Sequence, residues 1–261
     1  MASSSFMASR ALARREVVRF VRQRNRVFGA LAQPVLFWAI FGAGLSPSFR
    51  TGSVGYSEYF FPGVIVMILL FTAIFATISI IEDRNTGFLQ GVLVAPVPRW
   101  AIVLGKVEGT TILAVGQALL VTMAAPFLGM SIPIAGILLS IPVLVLISIA
   151  LAGLGTWIAW RMDSTQGFHA MMTSFLMPLW LLSGAFFPPG GTPRWLTFVI
   201  AINPLTYGVA LLRHALYLGD PAATAALPSA TTCMVASTAF AIVTLAGASS
   251  AAKAPTAGAL P

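Results

Sequence analysis

Charge is the scarcest commodity in this sequence: Asp, Glu, Lys and Arg together make up 8% of 261 residues, while apolar types reach 58% and the mean hydropathy is +0.91. A soluble domain carries about 25% charged residues, so a water-facing surface cannot be made from this composition, and soluble enzymes and ordinary nucleic-acid modules are excluded. Acid is rarer still, with 7 Asp and Glu against 15 Lys and Arg. Cysteine is almost absent: the one cysteine, Cys233, excludes an intrachain disulfide and a cysteine-based metal cluster. No Gly-x-x-x-x-Gly-Lys-Ser/Thr phosphate loop occurs, since the one Gly-Lys, Gly105-Lys106, is followed by Val107. Paired carboxylates, Ser-His-Asp sets and His-x-x-His spacings are missing from the apolar runs, so neither catalysis nor a metal site is expected. Ionisable groups at mid-membrane, which an ion-coupled carrier needs, are missing too.

What is present is a series of long uncharged runs. About 20 apolar residues cross about 30 Å of hydrocarbon. Val27–Phe49 and Tyr59–Ile81 each suit one span, and Gly109–Trp160, broken by the turn Gly129–Pro133, suits two. Ser164–Pro193 is a fifth, and Pro221–Ala252, with its apolar part at Thr232–Leu245, a sixth. Trp195–Leu212 is interrupted by Asn203-Pro204 and reads as two half-helices dipping into the outer leaflet, within a hairpin spanning 187–213. With six spans and the N-terminus inside, twelve Lys and Arg fall on the cytoplasmic side and three outside. A seven-span arrangement exchanges Arg213 for Lys253 and leaves the same count. The tail 247–261, rich in Ala, Ser, Gly and Pro, reads as disordered.

Seven arginines lie between Arg10 and Arg26, and Arg15, Arg19, Arg22 and Arg26 recur at helical spacing opposite Ala13, Val17, Phe20 and Val21. The segment 10–26 therefore predicts an interfacial helix with its basic face toward anionic headgroups. It serves as a topogenic flank, as a lever joining a cytoplasmic partner to span one, or as an organellar transit peptide. The loop that follows span two gathers Glu82, Asp83 and Arg84, then sets Leu89, Val92 and Leu93 at helical spacing before Pro96 and Pro98. It is either a solvated loop or a short helix offering apolar knobs to a partner's groove. Lys106 and Glu108 read as inner-boundary residues that snorkel, or as a gating ion pair. His169 and His214 read as loop residues. Gln33, Gln117, Asn203 and Tyr207 are the notable polar groups of the apolar runs, as packing or cargo contacts.

Glu82, Gly87, Leu89, Pro96, Arg99, Gly105 and Lys106 resemble the signature loop of ABC type-2 exporter permeases. Met177–Pro188, Pro193–Leu196, Asn203–Tyr207 and Arg213 resemble that family's fifth span and outer re-entrant hairpin, in matching order. The closest likeness is to drug- and nodulation-factor-type permeases. The resemblance implies an all-α integral membrane protein of six transmembrane helices, forming one domain over 1–261. It implies an ATPase-coupling loop at 82–99 (Glu82, Asp83, Arg84, Gly87, Leu89, Pro96, Arg99) and an outer gate at Phe186, Phe187, Pro188, Asn203, Pro204 and Tyr207. Two ATPase subunits would carry ATP and Mg, none bound by this chain, and a second permease would complete a homo- or heterodimer in the bacterial inner membrane. Membrane lipid is a further partner and nucleic acid is not. Two departures are visible: Phe88 and Gln90 stand where Thr and Glu are more usual, and a basic C-terminal tail is lacking. The expected activity is ATP-driven export of an amphipathic, lipid-like or drug-like cargo, with a nucleotide-independent channel or carrier, or a membrane scaffold, as the other classes.

Overall fold

The computed structural model describes residues 2–45, 50–51, 54–95, 97–186 and 193–253. Apart from a two-residue antiparallel ribbon, Arg50–Thr51 against Val54–Gly55, these residues are helical or in short connections. In chain order the helices are α1 (Ala2–Arg22), α2 (Arg24–Leu45), α3 (Tyr56–Thr77), α4 (Ser79–Asn85), α5 (Phe88–Val94), α6 (Arg99–Ala124), α7 (Ile134–Ala159), α8 (Thr165–Trp180), α9 (Arg194–Ile202), α10 (Pro204–Leu216), α11 (Pro221–Thr224) and α12 (Ala230–Lys253). Among the described residues, six helical stretches are long and apolar enough to cross a membrane: Arg24–Leu45, Tyr56–Asn85, Arg99–Leu128, Ile134–Ala159, Thr165–Ala185 and Ala230–Lys253.

The α3 helix is apolar on every side and accordingly sits in the middle of the bundle, packed by α2, α6, α7, α8 and α10. Its continuation through α4 carries the second stretch to Asn85, beyond the Ile81 expected from charge alone. The turn expected at Gly129–Pro133 is present: α6 tightens into a 3-10 turn at Ala125–Leu128, and Gly129, at φ 82°, occupies the left-handed region that glycine tolerates best. α9 and α10 meet at a bend of 79°. With 9 and 13 residues they are about 14 and 20 Å long, so neither alone reaches across about 30 Å.

The helical C-terminus departs from the expected disordered tail. Residues 247–253 belong to α12, and the remainder of 247–261 lies outside the described residues. Gly247 permits this, because a Cβ there would stand 2.4 Å from the Trp157 ring on α7.

The N-terminal helix α1 packs along α6. Its Ser9, Ala13, Glu16 and Phe20 form a buried face against α6. The α6 side of the seam is Gly105 and Gly109: a Cβ at the first would lie 2.7 Å from the Ser9 carbonyl oxygen, and at the second 3.0 Å from that of Ala13. Small residues four apart let two helices approach backbone to backbone. Gly109→Leu is expected to push α1 off α6 and lower thermal stability in detergent by about 1–3 kcal/mol. Gly44→Leu, at an exposed position of α2 where a Cβ meets nothing within 4 Å, is the control expected to change little.

Candidate functional site

At the end of the bundle that carries α1, α4 and α5, seven charged side chains from four helices meet. Asp83, 1% exposed, is the hub. Arg15 clasps it with both terminal nitrogens (Nη1 to Oδ2 2.9 Å, Nη2 to Oδ1 2.8 Å), Arg19 donates to Oδ1 at 2.7 Å and Lys106 Nζ donates to Oδ2 at 2.7 Å. Lys106, only 4% exposed, also donates to Glu16 Oε2 at 2.7 Å and Ser79 Oγ at 2.9 Å. Glu82, half-buried, accepts from Arg19 at 2.5 Å and from Arg26. Four cations thus face three carboxylates. Hydrogen bonding to Asp83 raises the pKa of the Arg15 guanidinium above its ordinary value, outweighing the opposing effect of its partial burial. Among the described residues no three His, Cys, Asp or Glu side chains gather as a metal site.

This arrangement corrects two expectations. Arg15, Arg19 and Arg26 turn inward to carboxylates, so of the four arginines assigned to headgroups only Arg22 points outward. Lys106 does not snorkel: burial without a partner would cost several kcal/mol, and its two carboxylates hold it inside the bundle. Glu108 is half-buried and outside the network. Sequence reasoning passed over Glu16 and Ser79. The signal for Glu16 was available, since this lone acid of the basic segment shares a helical face with Ser9, Ala13 and Phe20.

The remaining residues of 82–99 divide. Arg84 leaves the cluster and donates to the carbonyls of Trp160 (3.0 Å) and Met162 (3.1 Å), tying α4 to the end of α7. Gly87 caps α5 at φ 77°, a left-handed geometry that side chains disfavour. Leu89, expected to project as a knob, is 3% exposed and packs into the chain's own core. The outward surface of α5 is instead Gln90, Gly91 and Val94, the last 87% exposed. Phe88 lies beneath Arg15, whose guanidinium is 3.6 Å from the ring centroid. Pro96 lies outside the described residues. Arg99 donates to the carbonyls of Ala252 and Lys253, both at 2.9 Å, and so caps the end of α12.

The described residues assigned to an outer gate, Phe186, Asn203, Pro204 and Tyr207, lie toward the opposite end of α3, where Phe60 against Phe186 is 23 residues, about 35 Å of helix, from Asp83. There α8 loosens into a π-turn, Leu181–Ala185, with Gly184 at φ 71°. The Gly184 carbonyl accepts from Tyr59 Oη at 2.7 Å and from Arg213 Nη2 at 2.9 Å; Arg213, 3% exposed, also donates to the Tyr59 carbonyl at 3.2 Å. Phe186 packs edge-on against Phe41 and Phe60. Asn203 accepts from Leu205 N at 2.9 Å and donates to the Leu179 carbonyl at 2.6 Å, pinning the bend at Pro204 to α8. Tyr207 Oη donates to Ala201. Phe187 and Pro188 lie outside the described residues. Gln117 accepts from Thr72 at 3.0 Å between α6 and α3, and His214, expected in a loop, lies in α10 and meets the Pro228 carbonyl at 2.9 Å.

Comparison with known proteins agrees with a chain of this architecture. The multidrug ABC transporter permease YbhR of Escherichia coli (strain K12) is 31% identical over 170 residues, 64% of this chain and 46% of that protein, so the chain spans less than half of YbhR. Nodulation protein J of Rhizobium leguminosarum bv. viciae is 28% identical over 220 residues, 80% of this chain and 81% of that one. The transport permease ycf38 of Cyanophora paradoxa is 26% identical over 207 residues, 77% of this chain and 71% of that one. The family described as ABC-2 type transporter matches residues 7–217, which run from the buried face of α1 past the Arg213 knot, and the chain therefore belongs to the ABC-2 type transporter family of membrane permeases.

Proposed function

We propose that the chain is the membrane subunit of an ATP-driven exporter, moving an amphipathic, lipid-like or drug-like molecule. It works with a second permease copy or homologue and two separate ATPase subunits that hold ATP and Mg. The setting is a bacterial inner membrane, with the N-terminus and the charged cluster cytoplasmic and the α9–α10 pair re-entrant from the far side. The observation that carries this reading is how α5 is mounted. It is a seven-residue helix exposed at the basic end, and its root, α4, is fastened by Asp83 and Glu82 to α1, α2 and α6. A force applied to Gln90, Gly91 and Val94 is passed through charge-assisted hydrogen bonds, which are short and stiff, to several spans at once. ATP-dependent closure of the ATPases supplies that force, and α3 carries the displacement to Tyr59 and the π-turn of α8.

The test is co-purification of tagged chain with its Walker-A ATPase from membranes, comparing wild type with Val94→Asp. The ATPase is expected to accompany wild type and to be reduced at least tenfold by V94D, while the variant's melting temperature stays within about 2 °C because Val94 faces out. Movement of solute across vesicles without nucleotide, with no ATPase retained by wild type, would sink the exporter reading in favour of a channel or carrier.

A further inference from the structure

A groove of about 860 Å³ opens between α1, α2 and α6. Its wall is apolar at Val21, Leu31, Val35, Ile112 and Leu120, and polar only at Arg24 and Gln117. Gln117 is uncharged and its Oε1 accepts from Thr72; Arg24, at the break between α1 and α2, is the one charge in the groove's lining. Along α2 the wall runs from Arg24 to Val35, about 16 Å at 1.5 Å per residue. That is close to half of a hydrocarbon core about 30 Å thick. The groove thus begins at a cation beside the interface and ends near the bilayer midplane, the depth of one leaflet.

The surrounding charge points to the same occupant. Arg15, Arg19 and Arg26 are neutralised by Asp83 and Glu82. Arg10, Arg14, Arg22 and Arg24 are exposed and make no ion pair among the described residues. No acid lines the groove, so a second copy seated there would meet a mouth as basic as its own, whereas an anionic headgroup finds complementary charge.

We propose that this groove is a binding site for an anionic phospholipid of the leaflet on the basic side, its headgroup at Arg24 and one acyl chain along Leu31, Val35 and Leu120. Such a lipid wedges α2 against α1 and α6. The site does not depend on the transport reading.

The test uses the full chain, purified in mild detergent and titrated with phosphatidylglycerol or phosphatidylcholine, with retained lipids counted by native mass spectrometry. Wild type is expected to keep phosphatidylglycerol in preference to phosphatidylcholine, and R24Q to lower that preference about fivefold. G116F, whose new side chain enters the groove where a Cβ meets nothing within 4 Å, is expected to lose the retained lipid. Equal retention of both lipids by wild type overturns the proposal, as does phosphatidylglycerol binding unchanged in R24Q and G116F. A G116F chain that keeps its lipid but loses self-association assigns the groove to a second copy and overturns it as well.

Discussion

Asp83→Ala is expected to destabilise the protein by about 3–5 kcal/mol, the cost of leaving buried ionic partners uncompensated. The carboxylate takes two hydrogen bonds from Arg15 and one each from Arg19 and Lys106, so its loss leaves four cations facing two carboxylates. Lys106 is the worst placed of the four, since it is buried and cannot turn to water; Arg15, about one third exposed at its side chain, can. The exposed pair Arg84–Asp163, at 3.3 Å with the Asp163 side chain 80% exposed, provides the contrast: Asp163→Ala is expected to cost no more than about 1 kcal/mol. Thermal unfolding in detergent, followed by size-exclusion fluorescence, compares the two. Similar losses for both would contradict the reading of Asp83 as the hub. A second signature follows from topology: with α1 released, chymotrypsin should cut at Phe20 in Asp83→Ala under conditions that leave wild type whole.

At the other end of α3, Arg213→Ala is expected to cost about 2–4 kcal/mol through a void and two lost charge-assisted hydrogen bonds. The removed guanidinium also stacks 4.0 Å from the Tyr59 ring centroid. Because Arg213 and Tyr59 both serve the Gly184 carbonyl, Tyr59→Phe and Arg213→Ala should not add. A double-mutant cycle is expected to give a coupling of about 1 kcal/mol or more, and simple additivity would mean that the two groups hold the π-turn independently. If the transport reading is right, Tyr59→Phe lowers ATP-driven movement of cargo more than it lowers stability, since the turn at Gly184 is where α8 can change its pitch.

Much of this was legible in the chain itself, for a physical reason: bilayer-crossing helices announce themselves through length and lack of charge, both one-dimensional properties. The paucity of Asp, Glu, Lys and Arg, the break at Gly129, the interruption at Asn203-Pro204 and the loop at Glu82–Arg99 each follow from rules that act along the sequence, and they suffice for the fold class and the family. Which charges meet was not legible, because that depends on which faces of separate helices oppose each other. The spacing of Arg15, Arg19 and Arg26 is the same whether they face headgroups or carboxylates. The close approach of α1 to Gly105 and Gly109 decided for the carboxylates, drawing Glu16 and Lys106 into the bundle. Leu89 has the periodicity of an exposed knob and of a core residue alike, and the left-handed turn at Gly87 pointed it inward. Composition determined that the protein lives in a membrane; tertiary packing alone decided which of its few charges are consumed holding it together and which are left to meet a partner.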